Sequence, residues 1–331
     1  MTVWIGYCGS HEQWPAPRLL EFAVAAERAG FDGAWVSDHF HPWQDNQGHA
    51  GHAWVTLAAM GQRTAAITLG TGVTCPGYRF RPAEVAHAFA SLATFYPGRI
   101  FLGTGTGEAL NEVPAGGGWG PYRERAERLA ESIELIRELW RGDWVDHEGA
   151  YYTVRGAKLY DPPPAPVPIY VAASGPNSLA LAGTQGDGLI TDPETARNSG
   201  KMAIFDDAAR AAGKDPGKMP RLVELYVTVG GRDDALAAAP LWQFGPVAGQ
   251  LLGEPDPRVI QRRAEKLATL DQVISRWVVS PRPADHVDAI RELAAGGVSD
   301  VYVHSAQPDQ AAVIEFYGRD VIPALRGGGR Q

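Results

Sequence analysis

Chemistry in this 331-residue chain gathers in a few short stretches. One reads Ser37-Asp38-His39-Phe40-His41-Pro42-Trp43. His39 is a candidate acid or base, because an imidazole titrates near neutrality, and Asp38 beside it has the means to bond a ligand or backbone. Another reads Gly105-Thr106-Gly107-Glu108-Ala109-Leu110-Asn111. Its glycines let backbone approach a ligand closely. Glu108 at such a turn is either a surface carboxylate or an acid aimed inward. The stretch is no Walker loop, since no Gly-Lys-Ser/Thr follows, and it lacks the full dinucleotide fingerprint. His39, His41, His49 and His52 lie within fourteen residues and raise a metal-hydrolase reading. Such a site needs further ligands from later strands, and of the remaining histidines only His304 falls at a strand end, so no metal is expected.

The elements that position these residues follow a β–α cycle of roughly 30 residues. Strands are expected at Val3–Gly9, Gly33–Phe40, Ile67–Thr74 and Arg99–Gly107, with helices at Arg18–Gly30, Trp54–Gln62, Pro82–Tyr96 and Tyr122–Trp140. The later half continues with strands at Ile169–Gly175, Gly188–Thr191, Leu222–Val229 and Val301–Ser305, and helices at Ser178–Gly183 and Ala311–Leu325. Eight strands alternating with helices favour a single closed (β/α)8 barrel, a TIM barrel, over an open doubly wound sheet. Residues 142–168 and 231–270 break the cycle and read as insertions over the C-terminal mouth. In a barrel the active site lies at the C-terminal strand ends, and the stretches singled out above fall there, as do Ser10–Trp14, Gly72–Pro76 and Ala173–Asn177. The tail Gly327–Gln331 reads as frayed.

Composition narrows the partners. An apolar fraction of 45% supplies a large core. A net charge of −8 without a Lys/Arg block disfavours nucleic acid and anionic membranes. Two cysteines, Cys8 and Cys75, form neither a disulfide framework nor a zinc ribbon. No apolar run reaches the ~20 residues of a membrane span, and the N-terminus lacks signal-peptide features. A cytoplasmic protein acting on a small molecule is the expectation.

The stretches VSDHFHPW, YPGRIFLGTGTGEALNEV, LWRGDWVDHEGAYYTV, VPIYVAASGP and SRWVVS together resemble the luciferase-like deazaflavin oxidoreductases, in particular the coenzyme F420-dependent sugar and alcohol dehydrogenases. The resemblance runs from about Ile5 to Leu325. It implies coenzyme F420 as cofactor, His39 as the base for the substrate hydroxyl, and Glu108 as the acid serving the deazaflavin nitrogen. It implies Trp43 as an aromatic wall near the reactive ring and Glu12 as a carboxylate nearer the substrate. Cofactor contacts are implied at Asp38, Gly105, Thr106, Gly107, Asn111, Ala173, Ser174 and Gly175, with a non-proline cis peptide near Gly72-Val73 behind the ring. A homodimer is expected, because related barrels commonly pair.

One departure bears on substrate. Sugar-phosphate members hold phosphate with two lysines and an arginine. Arg276 matches the arginine, but the lysine positions read Asp192-Pro193-Glu194-Thr195 and Gln250-Leu251-Leu252-Gly253. Phosphate recognition rests on charge-assisted bonds, so the expected substrate is a sugar or other alcohol without phosphate, unless Lys201 or Arg197 reaches in. The alternatives are a glucose-6-phosphate dehydrogenase with a rearranged phosphate site, an FMN-dependent monooxygenase, a metal-dependent hydrolase and a non-catalytic cofactor-binding protein.

Overall fold

The computed structural model describes residues 3–327, so most of the tail expected to fray lies outside the described residues. Among the described residues eleven strands form: β1 (Trp4–Gly9), β2 (Gly33–Val36), β3 (Thr68–Thr71), β4 (Ile100–Thr104), β5 (Val145–Glu148), β6 (Thr153–Ala157), β7 (Ile169–Ala172), β8 (Gly188–Thr191), β9 (Arg221–Thr228), β10 (Val278–Val279) and β11 (Asp300–Ser305). Eight of them close a parallel barrel in the order β1-β2-β3-β4-β7-β8-β9-β11, with β11 pairing back to β1. This is the TIM barrel expected from the alternation. Each barrel strand is buried on both faces, hence near-continuous apolar runs such as Ile-Phe-Leu-Gly-Thr in β4.

Several expected strands ran too long. Ser37–Phe40, Gly72-Val73 and Gly105–Gly107 leave the sheet and become the loops that carry the chemistry, while Thr74 keeps a single bridge to Thr104. Helices Ser199–Ala211 and Pro283–Ala295, which the cycle reading had not separated, complete the outer ring. The last expected helix is interrupted by a wider turn at Tyr317–Val321. Proline opens many helices at their first turn, as at Pro82, Pro176, Pro257 and Pro283, where its missing N–H has no intrahelical partner to lose.

The lower barrel is filled and the upper barrel is open. Cys8, Trp35, Phe101, Ile190, Leu222 and Tyr302 pack inside, with Trp35 stacked on Tyr302 at 3.9 Å between ring centroids. Glycines face the large rings: a Cβ on Gly6 would lie 2.4 Å from the Tyr302 ring, and one on Gly70 2.3 Å from Phe101.

The two excursions differ. Residues 231–270 build a second apolar cluster around Trp242, Phe244, Val247 and Leu251, and they cap the mouth as expected. Residues 142–168 do not. Their β5–β6 hairpin packs beside helix Tyr122–Trp140, where Glu131 meets His147, Tyr151 and Tyr152, and Tyr152 bonds the carbonyls of Pro76 and Gly77. No residue of that hairpin lines the barrel mouth, which corrects the sequence reading. No described helix is long and apolar enough to cross a membrane.

Candidate active site

A cavity of about 1010 Å³ occupies the barrel mouth. Its walls include Glu12, His39, Trp43, Gly72, Val73, Gly105, Thr106, Gly107, Glu108, Ala173, Ser174, Gly175 and Arg276, so one space collects nearly every residue singled out from sequence. Asp38 and Asn111 are the two that do not line it.

His39 stands at the centre of the polar side. Its Nδ1 lies 3.0 Å from the carbonyl of His41, which can only accept, so in the neutral ring Nδ1 carries the proton. Nε2 is then a free proton acceptor, 3.3 Å from Glu12 Oε1. Glu12 is itself fully held: the hydroxyls of Ser10 and Ser37 donate to its other oxygen at 2.7 and 2.5 Å. Burial opposes charge on Glu12, yet His39 together with the Ser37 and Ser10 hydroxyls outweighs it, keeping this carboxyl below its ordinary range. Glu12 Oε1 thus stands where it can pair with Nε2 once that nitrogen carries a proton.

Glu108 lines the same cavity and is tied to the His39 loop by Asn111. The Asn111 amide donates to Glu108 Oε2 at 3.1 Å, while its oxygen accepts from the backbone N–H of Phe40 at 2.8 Å and of His41 at 3.4 Å. Asn111 thus sets the spacing between the His39 loop and the Glu108 turn. At that turn Gly107 has φ +76°, a left-handed conformation that a side chain would strain.

Asp38 does not line the cavity. It is buried and points away from the cavity, taking 2.5 and 2.9 Å bonds from Thr74 Oγ1 and Arg79 Nη2. It anchors the loop through those two bonds.

One wall suits a flat ring. The peptide between Gly72 and Val73 is cis, as the resemblance implies. Gly72, Gly105, Gly107 and Gly175 keep backbone rather than side chains at the cavity edge. The opposite wall is aromatic: Trp43 stacks on Phe244 at 4.5 Å, with Trp242, Tyr226 and Trp277 beside them. Sequence reasoning found Trp43 but not the others, since an aromatic in a long insertion reads equally as core.

Cations are few at the far end. Arg276 faces the cavity and makes no ion pair among the described residues. Arg197 reaches the rim but is paired with Glu292 at 2.8 Å. Lys201 does not line the cavity; its Nζ bonds Thr195 Oγ1 at 3.3 Å. Asp192 and Glu194 border the space instead, as does Leu252 from the Gln250–Gly253 stretch.

His41, His49 and His52 form no ligand set with His39; the one described cluster of metal-ligating types is Cys8, Glu224 and His304.

Comparison with known proteins identifies the family. Residues 5–300 match the family described as luciferase-like monooxygenase. The chain is 47% identical over 323 residues to an F420-dependent hydroxymycolic acid dehydrogenase of Mycobacterium tuberculosis, covering 97% of this chain and 88% of that protein. It is 40% identical over 330 residues to an F420-dependent glucose-6-phosphate dehydrogenase of Mycolicibacterium gilvum, covering 97% and 98%. A solved F420-dependent secondary alcohol dehydrogenase, in complex with an F420-acetone adduct, superposes with a TM-score of 0.93 at 34% identity, covering 98% of this chain and all of that one. The chain belongs to the luciferase-like family.

Proposed function

From that membership we infer that this chain is a coenzyme F420-dependent dehydrogenase acting on a CH–OH donor, with His39 as base and Glu108 as acid. The observation that carries the reading is the pairing of His39 Nε2 with Glu12, facing one cavity with Glu108. The cavity volume and its backbone-edged wall fit a flat tricyclic cofactor plus a small substrate. When bound, the deazaflavin supplies the carbon that accepts a hydride.

The chain's own residues do the rest. Nε2 of His39 takes the hydroxyl proton as the C–H bond breaks, and Glu12 stabilises the resulting imidazolium. Glu108, oriented by Asn111, delivers a proton on the cofactor side. Gly72, Val73, Gly105, Thr106, Gly107, Ala173, Ser174 and Gly175 are the proposed cofactor wall, and Trp43 closes the ring's other side. Asn111 acts as a positioning residue. Arg276 is the one proposed substrate-side cation.

The substrate we propose is an alcohol without a phosphate, a free sugar or a less polar secondary alcohol. Two acidic side chains and a leucine stand where a dianion would need cations, and the facing wall is aromatic. The test is a panel of alcohols, free sugars and sugar phosphates scored by loss of oxidised F420 absorbance. Turnover of alcohols that disappears in His39→Ala and Glu108→Ala, with F420 still bound, supports the assignment. Saturable turnover of glucose 6-phosphate at micromolar concentration overturns the substrate class. A homodimer is proposed on resemblance alone, and sedimentation velocity tests it.

A further inference from the structure

The innermost polar groups of the cavity have no part in the reaction proposed above. Cys8 lies two residues before Ser10 on β1, one inward-facing position deeper. Glu224 and His304 face it from β9 and β11, which lie side by side with β1 in the order β9-β11-β1. Cys8 Sγ is 3.3 Å from Glu224 Oε1 and 3.6 Å from His304 Nδ1, and His304 Nδ1 is 2.6 Å from Glu224 Oε1. All three line the cavity.

We propose that Cys8, Glu224 and His304 form a binding site for one zinc-class divalent cation, with its fourth coordination position open to the cavity. The donor set is a sulfur, an imidazole nitrogen and a carboxylate oxygen, which suits borderline metals and not magnesium or calcium. Zinc-to-ligand distances of about 2.0–2.3 Å in a tetrahedron place neighbouring donors roughly 3.4–3.6 Å apart. Two of the three separations already sit at or near that spacing. The third, a hydrogen bond in the metal-free protein, opens by less than about 1 Å as metal replaces the shared proton.

The ligands are pre-placed. Cys8 and His304 are buried, and the imidazole is held by Tyr226 stacked at 4.2 Å and Trp242 edge-on at 4.4 Å. The Glu224 side chain keeps 35% of its surface, so the carboxylate is the member that meets the cavity contents. On binding, the Cys8 thiol proton leaves to solvent and the His304 proton moves from Nδ1 to Nε2, which has no other partner, so that a neutral imidazole binds through Nδ1; the cation gains three protein ligands plus one water or an oxygen of a cavity ligand. Nothing is oxidised or reduced.

The experiment uses the full chain, stripped of metal and without cofactor, so its outcome is independent of any F420 turnover. Titration with Co²⁺ as the probe is expected to saturate at one equivalent, with a near-ultraviolet thiolate-to-cobalt absorption that Zn²⁺ abolishes by displacement. Cys8→Ser should lose that absorption, and His304→Gln should bind at least ~10-fold more weakly. Cys75→Ser should leave both unchanged. Protection of Cys8 from alkylation by one equivalent of Zn²⁺, mapped by peptide mass, reads the same contact in the unsubstituted protein should a variant not fold. Absence of saturable binding up to millimolar Co²⁺, or an unchanged absorption in a folded Cys8→Ser protein, overturns the site.

Discussion

Asn111 offers the sharpest test of how the two halves of the site are held together. Its side chain makes four contacts, at 2.8, 3.4, 3.1 and 3.5 Å, to the Phe40 and His41 backbone, to Glu108 and to His39 Nδ1. Asn111→Ala removes all four and leaves the His39 and Glu108 side chains themselves unaltered. Two short bonds are worth about 1 kcal/mol each, so the fold should lose on the order of 2 kcal/mol. The rate should suffer more, because misplacing a reacting group by ~1 Å costs ~10²-fold. Single-turnover hydride transfer should therefore slow about 10²-fold, while F420 affinity changes only a few-fold. Asn111→Asp separates the two arms. It keeps an acceptor for the Phe40 N–H but sets a second carboxylate about 3 Å from Glu108, which disfavours ionisation of the pair. The pH midpoint of the rate should rise in Asn111→Asp and stay put in Asn111→Ala. An Asn111→Ala enzyme within threefold of the parent, or an Asn111→Asp enzyme with an unmoved midpoint, would refute the bridging role.

Two further outcomes concern the frame. Burial lifts the Asp300 carboxyl to about 6, the Ser299 hydroxyl opposing and Asp32 adding to the rise. Because the folded protein holds this proton more tightly than the unfolded chain, stability from Asp300 is present below about pH 4 and is lost as pH climbs to about 6. Asp300→Asn should thus match the parent at pH 4 and exceed it at pH 7 by on the order of 2–3 kcal/mol, read by denaturant melts; a difference that does not vary with pH sinks the assignment. Gly103→Ala would set a Cβ 1.8 Å from the Thr71 carbonyl oxygen, inside the β3–β4 seam. Neither strand can yield without breaking its ladder, so a loss of more than ~3 kcal/mol or insoluble expression is expected, and a melting temperature near the parent's would contradict that packing.

What sequence made legible here follows from the range of the forces involved. The alternation of apolar runs and helical patterns is local, and it specified eight strands, the barrel and the end of the barrel where chemistry belongs. His39, Glu108 and Glu12 were accessible for that reason: each follows a strand terminus. Asp38 shows the limit of adjacency. Neighbouring side chains on an extended segment point to opposite sides, so the residue beside a cavity-facing histidine turns toward Thr74 and Arg79 instead. The proline-rich stretch 142–168 announced an excursion, but its direction depends on a Tyr152 anchor at Pro76 and Gly77, some 75 residues earlier. Glu224 and His304 were hidden more deeply. They are 80 residues apart, share no motif, and meet only because barrel closure sets β9 beside β11. Contacts that closure creates carry no local signature. It follows that the catalytic loops of such a chain can be found by reading along it, whereas the groups lining the cavity floor, and any ligand they take, have to be read across the strands.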